Sequence, residues 1–378
     1  MHMMAIDRRQ FLIRLGALAV ATLPGIPLAL TKAQTPAYCS SFTDVYGKHW
    51  LALLSPAGEV LSQVATPSRG HGACLSGDNT LIAGFARRPG RWLMLLNRNS
   101  GEVLARGNAP EGSHFNGHGV FSHDSTHLFV TENDYANQRG MIGVYTANTL
   151  QRVAEIGSYG IDPHELALLS DGQTLVVANG GIVTHPDFGR RKLNLASMAP
   201  NLSYIDIPSG KVLESHAPPH HQLSLRHLSV TSDDRVIIGA QYEGPAEDDR
   251  PLVFLHQRGK ALRPLPGQPL SAQRNLVHYI ASVTCCPKGR FALTSAPRGN
   301  RVSQWDIRKE TWVTDLDLPD IGGIAVAPDS EGRVDGDAML LSSGTGVLYG
   351  VSLPSGEAKP LLAHPKLQWD NHLRGFGV

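Results

Sequence analysis

A short phrase returns seven times along the chain, at steps of about 50 residues, and this spacing constrains the fold more than any other feature. Each copy opens on a polar residue or Gly, runs into an apolar strand and, in most copies, closes on an Asp-containing turn. The copies are His71-Gly-Ala-Cys-Leu-Ser-Gly-Asp78, His118-Gly-Val-Phe-Ser-His-Asp124, His164-Glu-Leu-Ala-Leu-Leu-Ser-Asp171, His227-Leu-Ser-Val-Thr-Ser-Asp233, Ser282-Val-Thr-Cys-Cys-Pro-Lys288 and Gly323-Ile-Ala-Val-Ala-Pro-Asp329, with a shortened copy, His372-Leu-Arg-Gly-Phe-Gly-Val378. The step matches one four-stranded propeller blade.

Three further strand-like runs follow each complete copy. After His118 they are His127 to Asn133, Met141 to Tyr145 and Leu150 to Ile156; after His227 they are Arg235 to Gln241, Pro251 to His256 and Ala261 to Pro264. The runs are rich in Val, Ile, Leu and Thr and are punctuated by Gly, Asn, Asp and Pro. With 39 Gly and 25 Pro the chain is turn-rich, which excludes a helical bundle or coiled coil. Six blades are complete in chain order. The last phrase supplies only a first strand, and Ala37 to Phe42, Trp50 to Leu54 and Glu59 to Thr66 supply the other three. The expected fold is therefore all-β, a seven-bladed β-propeller over residues 34–378, closed by pairing the C-terminal strand with N-terminal strands. Two packed domains of another kind are the alternative.

In a propeller the first strand of every blade lines the central channel. His71, His118, His164, His227 and His372 should then converge near one channel mouth, with Ser282 and Gly323 at the two remaining places. That face also collects the loops between second and third strands. They include Glu132 to Tyr135, Gln241 to Glu243 and the long polar insertion from Asn179 through His185, Asp187 and Lys192 to Asn194. Seventeen His is about twice the usual number. Several imidazoles on one axis suit a transition metal, for which the five repeat histidines are the candidate ligands. Glu132, Glu165 or Asn116 would add ligands or orient a ring. Glu132, Asn179, His185 and Arg226 are the candidate cofactor-binding residues. Two other readings stay open: histidines repeated because they pack and hydrogen-bond well at equivalent positions, and a polar pocket for an organic ligand. His220 and His221 lie in a loop near the channel face, and His114 in a loop four residues before His118. His123, His127, His216, His256, His278 and His364 read as surface.

A formal net charge of +1 and the absence of a recurrent basic face argue against nucleic acid. No nucleophile elbow, phosphate loop, dinucleotide fingerprint or His-Glu-x-x-His motif is present, so a nucleophile-based hydrolase loses most of its support. Cys39, Cys74, Cys285 and Cys286 have no C-x-x-C spacing; they read as buried small apolar residues, with a disulfide involving one of them as the alternative. Residues 1–33 read as an export leader: Asp7-Arg8-Arg9-Gln10-Phe11-Leu12 precedes a short apolar stretch from Leu15 to Leu23, a pattern resembling a twin-arginine signal. The stretch is too short to span a bilayer, so a periplasmic location is expected.

The phrases Gly117-His118-Gly-Val-Phe-Ser, Thr131-Glu132-Asn133-Asp134-Tyr135, Gly160-Ile-Asp-Pro163-His164-Glu165-Leu166, Val177-Ala-Asn179-Gly-Gly-Ile-Val-Thr-His185-Pro-Asp187 and Leu225-Arg226-His227-Leu228 resemble the secreted proteins grouped as domain of unknown function family 1513. The resemblance implies a seven-bladed propeller of the quinoprotein amine dehydrogenase beta-chain type. It also implies a periplasmic role beside imelysin-type iron-uptake proteins or haem-containing oxidoreductases, makes iron or copper likelier than zinc, and assigns no catalytic residue. The leading expectation is metal binding in the service of iron uptake. Its rivals are a metal-free docking scaffold and a metal-assisted hydrolase or oxidoreductase.

Overall fold

The computed structural model describes residues 35–189, 191–328 and 338–376; the expected leader lies outside them. Within this span the alternating strands form seven four-stranded antiparallel sheets in a ring. The innermost strands are Gly70–Leu75, Ser113–Phe121, Pro163–Leu168, Leu223–Val230, Ser282–Cys285, Ile321–Val326 and Leu367–Gly375. Each carries one copy of the repeated phrase. Short helical turns at Pro186–Phe188, Leu195–Ser197, Leu270–Arg274 and Pro297–Gly299 occupy loops. Among the described residues no helix is long and apolar enough to cross a membrane.

One sheet is shared by the two ends of the described chain. Its order is Leu367–Gly375, Tyr38–Asp44, His49–Leu54 and Val60–Thr66, with Tyr38 opposite Gly375 and Thr43 opposite Gln368. Ser40 Oγ donates to the His372 carbonyl at 2.7 Å, and the Phe376 amide donates to the Ala37 carbonyl at 2.8 Å. This is the closure expected from the sequence.

Apolar side chains alternate along the middle strands and fill the wedges between neighbouring sheets. Phe85, Leu93, Phe115, Leu128 and Tyr145 fill one wedge; Phe42, Trp369, Leu340 and Leu348 fill the wedge beside the closing sheet. All four cysteines are free and buried in such wedges. The reading of small apolar residues holds, and the alternative disulfide is absent.

Candidate metal centre in the channel

Six of the seven innermost strands break register where they meet the channel. The shifts fall between Gly70 and Ala73, Phe115 and Gly119, Pro163 and Glu165, Leu225 and His227, and Ile321 and Gly323; on the closing strand one falls between Trp369 and Leu373. An extra residue in a strand kinks it and re-aims its side chains. All five repeat histidines sit in or beside such a kink.

The rings meet. Nine pairs among His71, His118, His164, His227 and His372 have centroids 4.4 to 6.3 Å apart. Two triads, His71–His118–His372 and His118–His164–His227, each offer ligand atoms within 4.8 Å of one another. His71 Nε2 and His372 Nε2 are already 3.2 Å apart. Nitrogens on a shared ion at roughly 2.1 Å stand about 3.4 Å apart, a spacing that both triads approach. Two glycines make this approach possible. A Cβ at Gly72 would lie 2.7 Å from the Gly117 carbonyl oxygen, and one at Gly117, where φ is +100°, would lie 2.5 Å from His71 Cδ2.

The cluster is a waist within the channel rather than an open mouth, which corrects the expectation in detail. His71, His118, His164 and His227 are buried and His372 is half-buried. His71, His164 and His227 face a cavity of about 430 Å³ on the side of the loops between second and third strands. His118 and His372, with Glu165, face a second cavity of about 410 Å³ along the inner channel. The blades whose inner strands are Ser282–Cys285 and Ile321–Val326 bring no ring. Gly322 and Gly323 instead let the closing strand approach, since their Cβ positions would meet Asn371 Cα at 2.8 Å and the Leu373 amide nitrogen at 2.6 Å.

Carboxylates stand behind the rings and orient them. His71 Nδ1 lies 3.3 Å from Asp370 Oδ1, and His227 Nδ1 lies 3.1 Å from Glu165 Oε2. Donation from Nδ1–H leaves the Nε2 lone pair free, the arrangement that raises a metal-binding imidazole's basicity. His118 Nδ1 is 3.7 Å from Glu165 Oε1, and its buried Nε2 has no partner. His164 differs: Arg226 Nη1, which can only donate, is 3.4 Å from its Nδ1. Burial holds His118 down to about 4 and, with Arg226 and Arg87 adding to it, His227 to about 3; burial and neighbouring charges put His71, His164 and His372 well below their usual value. The rings therefore keep their lone pairs at neutral pH.

Other expected site residues are placed less centrally. Glu132 is buried against the Tyr145 hydroxyl and Arg152, whose Nη2 is 2.9 Å from Oε2, and it lines neither cavity. Asn179 donates to the Ser158 carbonyl and to Ser203 Oγ, while its own oxygen is unpartnered. His185 caps the turn Pro186–Phe188, with its ring edge on Tyr135. Arg226 does line the loop-side cavity, as does Asn116, which donates to the Pro163 carbonyl at 2.8 Å.

His114 is not in a loop but in the strand Ser113–Phe121, and it is buried. Nor is His256 a surface residue. It is buried, with Nδ1 2.6 Å from the Tyr204 hydroxyl and Nε2 2.8 Å from the Lys260 carbonyl. Glu214, His216 and His256 gather near one point, but internal hydrogen bonds already use both nitrogens of His256. His220 and His221 stack on each other outside both cavities.

Sequence reasoning missed Asp162 and Asp370. They stand two residues before His164 and His372, and that parity was the available signal. It also missed Arg87 and Arg88, which follow the second strand of their blade, Leu81–Ala86.

Comparison with curated proteins finds no match. Among solved structures, hydrazine synthase of Kuenenia stuttgartiensis is similar at a TM-score of 0.58 and 15% identity, covering 90% of this chain and 99% of that one. At that identity the likeness shows the fold alone. The model of the family described as "Protein of unknown function (DUF1513)" matches residues 64–376, and the chain belongs to that family.

Proposed function

We propose that this propeller binds a transition-metal ion at its histidine waist and serves as a periplasmic accessory of metal uptake, with iron the first candidate. One observation carries the metal reading: imidazoles from five blades crowd one point, with carboxylates rather than solvent behind two of them. A histidine repeated for packing alone would find a backbone partner in its own or the next blade. Here His118 Nε2 has no partner, and His71 and His372 face each other. Imidazole-rich sites suit iron, copper, nickel and zinc. The location and the link to iron rest on the leader pattern and the family resemblance, and the geometry supports only the ion.

Elemental analysis of protein exported and folded by its own route tests the reading. Close to one equivalent of metal is expected, falling at least tenfold in His118→Ala, the variant that breaks both triads. Metal far below one equivalent, or unchanged by His118→Ala in folded protein, rejects the site and leaves the docking scaffold.

A further inference from the structure

The loop-side cavity holds more positive than negative charge, and the surplus is partly buried. Its cations are Arg87, Arg88, Lys192, Arg226 and Arg298, against the carboxylates of Glu243 and Asp320. Lys192 and Glu243 pair with each other. The two carboxylates beneath the wall are each shared between two guanidiniums. Arg88 Nη1 and Arg226 Nη1 both lie 2.6 Å from Asp162, one at each oxygen, and the three side chains are 9%, 2% and 0% exposed. Arg69 and Arg87 share Asp370, which also accepts from His71.

Two buried guanidiniums on one carboxylate leave a unit of charge with no partner, a state that is costly away from water. Arg226 Nε is buried and has no acceptor. Arg298, from the turn Pro297–Gly299, lies over the Tyr279 ring, 4.2 Å from its centre, where it keeps its donors free. Guanidinium forks are built for planar carboxylates or for phosphates, and the cavity volume is that of a small-molecule site.

We propose that this cavity binds a small organic anion carrying two or more carboxylates, one on the Arg88–Arg226 side and one toward Arg87 or Arg298. The anion would supply the acceptors the guanidiniums lack. It would also sit on the side of the waist where His71, His164 and His227 are reached. The site stands on the cations and does not depend on the metal.

The test is calorimetric titration of metal-free protein, stripped with a neutral chelator, using succinate, tricarballylate, tricarballylic triamide and inorganic phosphate. Tricarballylate should bind most tightly, succinate next and the triamide not at all, with affinity falling as salt rises. Arg88→Gln leaves Asp162 paired one-to-one with Arg226, so the fold should be kept; it should weaken tricarballylate at least tenfold. Arg298→Gln, on an exposed turn, should do the same, while Arg106→Gln on an outer strand should change nothing. No binding of either carboxylate up to about 10 mM overturns the proposal, as do equal affinities for wild type and folded Arg88→Gln, or phosphate binding more tightly than tricarballylate. Protein that takes tricarballylate but holds no metal keeps this inference and loses the previous one.

Discussion

His118 belongs to both triads, whereas His164 belongs to one and faces an arginine donor. Metal binding through His164 requires the Arg226 contact to be broken or the ring proton to move. His164→Ala should therefore lower metal affinity less than His118→Ala, by about tenfold or more in a competition titration. Equal losses would mean that Arg226 does not restrain that ring. His114 offers a separate acid-sensitivity test. Burial holds it down to about 4, and protonation would place a charge on a ring whose Nε2 has no partner. Because its folded value lies below its unfolded value near 6.5, its contribution is full above about pH 6.5 and is lost as pH falls toward 4, roughly 3 kcal/mol in all. Urea unfolding of wild type and His114→Phe across that range should show the variant's curve flatter. At this scale the repeat histidines were legible because they open five of the seven phrases. Asp370, the carboxylate partner of His71, was not, nor was Asp162, which pairs with Arg88 and Arg226, since both precede the phrase and partner choice depends on the kink between.

Along the strands, the register breaks decide what reaches the axis. A regular strand would alternate His71 and its neighbours between the two faces of the sheet; the kink lets consecutive residues crowd the channel. Gly117 combines a φ of +100° with a ring where its Cβ would stand. Gly117→Ala should cost roughly 2 kcal/mol or more, read as a lower urea midpoint, and should displace His71 enough to reduce metal content. An unchanged midpoint would show that the backbone relaxes there without cost. The strands themselves were readable from alternation and turn residues, and their order from the count of runs. The kinks were not, because a bulge depends on how two strands pair rather than on either sequence. That is also why a channel mouth was expected and a buried waist is found.

The ring as a whole depends on a strand from far along the chain. Leu367–Gly375 is the inner strand of the closing sheet, and Trp369 fills the wedge between Phe42 and the neighbouring blade. Deleting residues 367–378 would leave Tyr38–Asp44 as a bare inner edge, a template for association with other chains. Light scattering should show the truncated protein aggregating under conditions where the full chain is monodisperse. Seven blades and their closure were legible because repeats and end fragments could be counted.

That closing segment also carries Asp370 and His372, so one polypeptide stretch finishes both the circle and the proposed ligand set. A chain interrupted just short of completion would lack a donor ring and the carboxylate that orients another, whatever the state of its other blades. At the proposed site such a chain would lose the His71–His118–His372 triad and keep His118–His164–His227, so the first triad alone depends on docking of the closing strand.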